Sequence, residues 1–269
     1  MGLNLEMDLT RLNLFLRHLA GLVRDYSPDN LPYAIDSKNI ELCGFGHSKL
    51  SLAVYKETVP IEFALEQATF MMFLGQQITP KILSFNDTGY VMEYLRPAKM
   101  FVNSLREQER FLNLFIWERQ LSEAPFTKQI GDESWRLELW ETIRVKVPDW
   151  ALDTPCLIHG DPTLDNTLEG SDTFIRITDP IPPHRLMRPS IRAIDHGKIL
   201  QSFLGWEVVL RGTPRIEFQW PTFMCSYESA RRAVFWCMVA LKRIALRNNT
   251  SNAGKWAESM AGELEKCEW

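Results

Sequence analysis

The 269-residue chain has no surplus of positive charge: 34 acidic residues outnumber 30 lysines and arginines, for a formal net charge of -4. That balance argues against a nucleic-acid binder working through a broad basic field, which needs many cations to neutralise phosphates. Cysteine is also sparse. Its five copies, at positions 43, 156, 225, 237 and 267, show neither the paired short spacings of a zinc site nor the density of a secreted disulfide framework, so reduced, buried thiols are expected. Near the N-terminus Glu6, Asp8, Arg11 and Arg17 interrupt every apolar stretch. No signal peptide or membrane span is read there, and a cytoplasmic protein with no membrane partner is expected. Repeats and low-complexity segments are lacking too. What remains is ordinary globular material, 45% hydrophobic and 24% charged, enough for one large domain or two lobes.

Against that background one segment carries chemistry. In Leu157-Ile158-His159-Gly160-Asp161-Pro162-Thr163-Leu164-Asp165-Asn166-Thr167-Leu168, a His-Gly-Asp turn is followed by an Asn five residues past the Asp, between apolar flanks. The spacing suits phosphoryl transfer: a carboxylate must sit at the acceptor hydroxyl while an amide oxygen reaches a metal on the nucleotide phosphates. Asp161 is the first group and Asn166 the second. Downstream, Phe174-Ile175-Arg176-Ile177-Thr178 reads as a strand ending in Asp179-Pro180, delivering a further carboxylate able to hold magnesium. The bland alternative is an Asx-rich turn ahead of a strand.

Patterning predicts the elements around this loop. Leu9, Leu12, Phe15, Leu16, Leu19, Leu22 and Val23 share one face of a helix between about Leu5 and Asp25. Short β-rich runs follow at 40–43 and 50–55, then a helix from Ile61 to Gly75. A hairpin joins 82–85 to 90–95 through Asn86-Asp87-Thr88-Gly89. Helices are predicted over 101–121 and 134–145, the second stopped by Pro148, and again over 190–211 and 227–247.

His-Gly-Asp-x4-Asn followed by Ile-x-Asp-Pro resembles the aminoglycoside phosphotransferase and choline kinase-like family, relatives of protein kinases. The section around Asp-Pro-Thr, Asp195 and Gly205-Trp206 is nearest to the phosphotransferases associated with sugar and capsule biosynthesis. The resemblance implies an α+β, protein kinase-like bilobal fold with a small β-rich N-terminal lobe and a mainly helical C-terminal lobe. Residues 1–30 would be a helical extension, 31–96 the ATP-binding lobe, and 97–269 the lobe holding the catalytic loop, metal and acceptor site. It implies an ATP- and Mg2+-dependent phosphotransferase whose partner is a small hydroxylated acceptor: sugar, amino alcohol, nucleoside or aminoglycoside-like.

Residue by residue, the resemblance makes Asp161 the base, Asn166 and Asp179 the metal ligands, and His159 a holder of backbone geometry. Asp195, opening Ala193-Ile194-Asp195-His196-Gly197-Lys198-Ile199-Leu200, would steady the catalytic loop; otherwise it is an acid favoured by a helix N-terminus. Met92-Glu93-Tyr94-Leu95 resembles the hinge whose backbone meets adenine. Gly44, Gly46 and Ser48 form either a phosphate-approaching turn or a plain hairpin turn. Lys56 takes the place of the phosphate-gripping lysine, with Glu66 as its ion-pair partner. Only ten positions separate Gly46 from Lys56, fewer than a full hairpin needs, so Lys49 is the alternative. The proline-rich stretch from Pro180 to Arg192 is either a stiff lid offering Arg185 or Arg188 to an anionic acceptor, or a solvated loop. Trp206, Trp220 and Trp236 lie where relatives bind acceptors, or pack the core. Two rival functions keep this fold: a pseudokinase scaffold, and a kinase acting on protein or nucleic-acid-linked hydroxyls.

Overall fold

The computed structural model describes residues 8–22, 40–41, 53–57, 61–86, 89–97, 105–124, 134–169, 175–186, 189–211 and 221–267. Within them the chain is mixed α+β, mostly helical, with two small antiparallel sheets. The first helix, α1 (Leu9–Leu22), starts where the Asp8 carboxylate accepts the Arg11 N–H at 2.8 Å, capping an orphan donor. Its predicted stripe buries Leu12, Leu16 and Leu19, and these join the main core cluster together with Phe70, Leu74, Leu105 and Leu112.

The larger sheet has the order β1-β2-β4-β3, from β1 (Ile40–Glu41), β2 (Ala53–Glu57), β3 (Ile82–Asn86) and β4 (Gly89–Glu93). In its register Lys56 lies opposite Tyr90. Helix α2 (Ile61–Leu74) connects β2 to β3 and packs Ala64, Ala68 and Met71 against Tyr90 and Met92 as a second, smaller core. It stops at Gly75, whose φ of +93° an L side chain rarely adopts. The second sheet runs β5 (Arg96–Pro97), β6 (Thr167–Glu169), β7 (Ile175–Ile177), with Thr167 opposite Ile177. β6 begins directly after the candidate loop and β7 ends two residues before Asp179, so their pairing brings Asn166 beside the turn at Asp179.

The remaining helices are α3 (Leu105–Leu112), α4 (Ser134–Ile143), α5 (Arg192–Phe203), α6 (Trp206–Arg211), α7 (Tyr227–Arg247) and α8 (Asn252–Glu265). Helix α3 continues into a wider π-type turn, Asn113–Trp117, which brings Trp117 into the core. Two departures from the sequence expectation follow from backbone geometry. The helix expected over 190–211 is two helices, because Gly205 takes φ +106° and turns the chain between α5 and α6. A further helix, α8, follows the last one expected. Ser251 caps it by accepting the Gly254 N–H at 3.0 Å, and Trp256, Met260 and Leu264 are buried by 99% or more. Burying side chains of this size contributes about 1.5–3 kcal/mol each.

Helices α5 and α7 approach closely because Gly197 has no side chain: a Cβ there would stand 2.7 Å from the backbone nitrogen of Cys237. Among the described residues no helix is long and apolar enough to cross a membrane. Cys156, Cys237 and Cys267 are free and buried as expected, whereas Cys225 is exposed. Cys43 lies outside the described residues.

Candidate active site

The segment Leu157–Ile158–His159 runs through the interior with essentially no exposure, and Gly160 then turns the chain at φ +86°. Glycine is required there twice over. A Cβ would meet Leu186 Cδ2 at 2.7 Å and Ile181 Cβ at 3.0 Å, closer than packed carbons come, in a conformation disfavoured for L residues.

Asp195, in the first turn of α5, holds this turn. One carboxylate oxygen accepts the His159 N–H and the Trp117 indole N–H, both at 2.9 Å, and the other accepts the Gly160 N–H at 2.8 Å. Complete burial pushes its carboxyl above the ordinary value, while His159 and the three donors pull it back. These three hydrogen bonds tie Asp195 to the turn, which a helix N-terminus alone does not account for.

His159 is the second fixed point. Its Nε2 lies 3.0 Å from the Thr178 carbonyl, which can only accept, so Nε2 carries the proton and Nδ1 accepts the Asp161 N–H at 3.2 Å. Burial lowers its pKa against the attraction of Asp195, Asp161 and Asp179, which keeps the ring neutral. The ring thus ties the loop to Thr178 through one nitrogen and to the Asp161 backbone through the other.

Three further groups hold the loop's second half. The Leu164 N–H is shared by Ser202 Oγ and Glu207 Oε1, each at 3.1 Å, and Ser202 donates to that same Glu207 oxygen at 2.7 Å. Ser202 and Glu207 stand on either side of the Gly205 turn, so the break in the expected helix is what brings Glu207 back to the loop. From α3, Gln108 Nε2 donates to the Pro162 carbonyl at 2.9 Å and to Thr167 Oγ1 at 2.8 Å.

Asp161 emerges from this frame half-buried. Asn166 Nδ2 reaches its carbonyl at 2.7 Å and its Oδ2 at 3.3 Å, while Lys198 Nζ meets Oδ1 at 2.8 Å. The Asn166 carbonyl accepts the Thr178 N–H at 2.9 Å, and the His159 carbonyl accepts the Ile181 N–H at 2.8 Å. Asp179 lies between these two contacts, at the end of β7, with φ +60°. Such a conformation in a non-glycine residue costs roughly 1–3 kcal/mol and persists only where its surroundings enforce it.

From the larger sheet, Tyr90 donates to Gln67 Oε1 at 3.0 Å, and Gln67 Nε2 reaches the Pro180 carbonyl at 3.4 Å. Burial, with the Asp179 carboxylate adding to it, raises the Tyr90 phenol well above its ordinary pKa. β4 and α2 are therefore seated against the Asp179 turn. The structure thus brings together Asp161, Asn166, Asp179, His159 and Asp195.

The upstream residues are a different matter. Glu66 receives a fork from Arg185, Nε to Oε2 at 2.7 Å and Nη2 to Oε1 at 3.2 Å. Arg185 therefore meets a carboxylate of α2. Lys56 is on β2, and its side chain lies outside the described residues, as do Lys49, Gly44, Gly46 and Ser48. Glu93 ties the hairpin: its N–H donates to the Lys81 carbonyl at 2.9 Å and its Oε1 accepts the Lys81 N–H at 2.8 Å. Tyr94 follows the end of β4, half-buried. Trp236 donates to the Ala151 carbonyl at 2.8 Å and is 2% exposed, a core residue, and Trp206 sits 5.9 Å from Trp256. Trp220 and Arg188 lie outside the described residues.

Among the described residues no cluster of three or more His, Cys, Asp or Glu side chains forms a metal cage. Magnesium does not need one, since it usually takes one or two carboxylates and completes its shell with phosphates and water. Asn166 turns its amide nitrogen to Asp161, and the side-chain oxygens of Asn166 and Asp179 are of the hard type that magnesium takes. Nucleophilic thiol chemistry does not fit here: burial pushes the Cys156 thiol up to about 12 and raises Cys237 further.

Sequence reasoning passed over Lys198, Trp117, Tyr90, Gln67, Gln108 and Glu207. Of these only Lys198 carries a sequence signal, since its place three residues after Asp195 puts both on one helix face. No protein-family model and no curated protein matches this sequence.

Proposed function

We propose that this chain is an ATP- and Mg2+-dependent phosphotransferase of protein kinase-like, bilobal architecture, moving the γ-phosphate to a hydroxyl of a small molecule. The observation that carries the reading is the convergence on one frame of a half-buried carboxylate, Asp161, with an amide and a second carboxylate, Asn166 and Asp179. Phosphoryl transfer asks the protein for little covalent chemistry; it needs a positioned acceptor, held phosphates and neutralised charge. Asp161 orients the acceptor hydroxyl and takes its proton. Asn166 and Asp179 hold magnesium, which when bound draws charge off the nucleotide phosphates. His159 and Asp195 touch no substrate in this scheme and keep the loop in register. Lys56, with Glu66 and the turn at Gly44, Gly46 and Ser48, takes the phosphates, and the chain at Glu93 and Tyr94 meets the adenine.

The test is ADP formation from ATP and magnesium across a panel of hydroxylated metabolites, with Asp161→Asn as the blank. Removing a positioned general base costs about 10²–10⁴-fold, so the variant is expected to lose turnover by at least that while keeping nucleotide-induced thermal stabilisation. Undiminished turnover in Asp161→Asn removes the base assignment. Nucleotide binding with no turnover in the wild type selects the pseudokinase reading.

A further inference from the structure

We propose that Lys198 is a positioning residue for phosphoryl transfer, acting through Asp161; the inference rests on the function proposed above. Lys198 lies on α5 one turn after Asp195, and its side chain is only 14% exposed. An ammonium so far withdrawn from water needs a counter-charge, and it has one in Asp161 Oδ1 at 2.8 Å. The other Asp161 oxygen has the Asn166 amide at 3.3 Å. Held at both ends, one by an ammonium and one by an amide, the carboxylate has its plane fixed.

The same helix turn therefore fixes the loop twice: Asp195 takes the backbone at His159 and Gly160, and Lys198 takes the side chain of the acid that follows them. The height of that turn is set by Gly197, whose missing Cβ lets α5 rest on the backbone of α7 at Trp236 and Cys237. A lysine carried on a buried, doubly anchored helix presents its charge with less freedom than one in a solvated loop.

The consequence for the step is directional. Because Oδ1 is buried and engaged with the ammonium at 2.8 Å, while Oδ2 carries the longer 3.3 Å amide contact, the acceptor proton is delivered to Oδ2. As the acceptor oxygen bonds to the γ-phosphorus, its O–H electrons remain on oxygen and its proton passes to Asp161. The bond from the γ-phosphorus to the bridging oxygen breaks, and ADP leaves with that electron pair. The Lys198 charge holds the carboxylate in place throughout. A lysine that merely neutralised Asp161 would protect stability and leave the rate alone.

The experiment measures ADP released from magnesium-ATP with water as the acceptor, in wild type, Asp161→Asn, Lys198→Met, Lys198→Arg and Lys198→Ala. Lys198→Met is expected to lower kcat about 10–100-fold with KM for ATP within about twofold, and Lys198→Arg to recover part of the loss. Added ethylamine is expected to restore turnover in Lys198→Ala, whereas ethanol and tetramethylammonium are not, since only the first returns a compact N–H-bearing cation. Wild-type kcat in Lys198→Met overturns the inference. So does a loss that amines and arginine leave untouched and that falls in step with melting temperature. Asp161-dependent turnover with an indifferent Lys198 refutes the positioning role alone; no Asp161-dependent turnover in the wild type refutes phosphoryl transfer, and this inference with it.

Discussion

Replacing Asp195 with alanine tests whether the frame of the candidate loop is as dependent on one carboxylate as its geometry says. Three buried donors end on it: the His159 and Gly160 N–H groups and the Trp117 indole. A buried donor left unsatisfied costs about 1–3 kcal/mol, so the three together give roughly 3–9 kcal/mol. Burial of the charge already works against the folded state, as the upward push on the Asp195 carboxyl shows, so the net loss belongs in the lower half, about 3–5 kcal/mol. Asp195→Asn separates the contributions. Its amide oxygen can serve the two donors now on Oδ2, but its NH2 then faces the Gly160 N–H, leaving one donor unpaired at about 1–3 kcal/mol. Urea denaturation at neutral pH measures both. The order wild type, Asn, Ala, with Ala the most damaging, is the expected result. A loss under about 1 kcal/mol in Asp195→Ala would mean that the donors find other partners and that the frame does not hang on this residue.

Three further outcomes follow from the same coordinates. Gly160→Ala should lose about 2–4 kcal/mol, combining a left-handed backbone with a Cβ 2.7 Å from Leu186 Cδ2; an unfolding midpoint equal to wild type contradicts the packing described. His196, stacked on Phe223 at 4.2 Å and edge-on to Trp117 at 4.9 Å, has its pKa lowered by burial to about 3. Its folded value lies below its unfolded one, so the stability it carries is complete above about pH 6.5 and is lost as pH falls from there toward the folded value. Between pH 6.5 and 4.5 that is roughly 2–3 kcal/mol, and His196→Phe should lose correspondingly less than wild type over the interval; parallel curves from denaturation at several pH values would exclude it. Cys225 should react with a thiol reagent in the native protein far faster than Cys156, Cys237 and Cys267, as peptide mapping after brief labelling can show, because the last three are buried and two of them are pushed up to about 12.

Legibility in the sequence divided along a physical line. Helices α1, α2, α4 and α7 and the hairpin of β3 and β4 were readable because each rests on local periodicity or on turn chemistry within a few residues. The division of 190–211 was not, because a single Gly205 inside an apolar pattern is compatible with an unbroken helix; Glu207 reaching back to Leu164 is what fixes the turn. Helix α8 has its cap in Ser251 and its stripe in Trp256, Met260 and Leu264, a signal present in the sequence and passed over. Arg185 stood in a proline-rich loop whose partner no spacing rule names, and only folding sets it on Glu66.

By itself the sequence determined which atoms the candidate chemistry has to work with: one Asp-x4-Asn loop, a strand-end Asp179, and Asp195 with Lys198 on a single helix face. Those are local facts, fixed by spacing and helical period. The tertiary structure decided what each group faces. It buried His159 between Thr178 and the Asp161 backbone, gathered three donors onto Asp195, and brought Lys198 to Asp161 across 37 positions of chain. It also seated Tyr90 and Gln67 from a separate sheet and helix against the turn at Asp179. Contacts of this kind depend on where Gly160, Gly197 and Gly205 let backbones turn or touch, and packing in three dimensions settles that where pattern along the chain cannot.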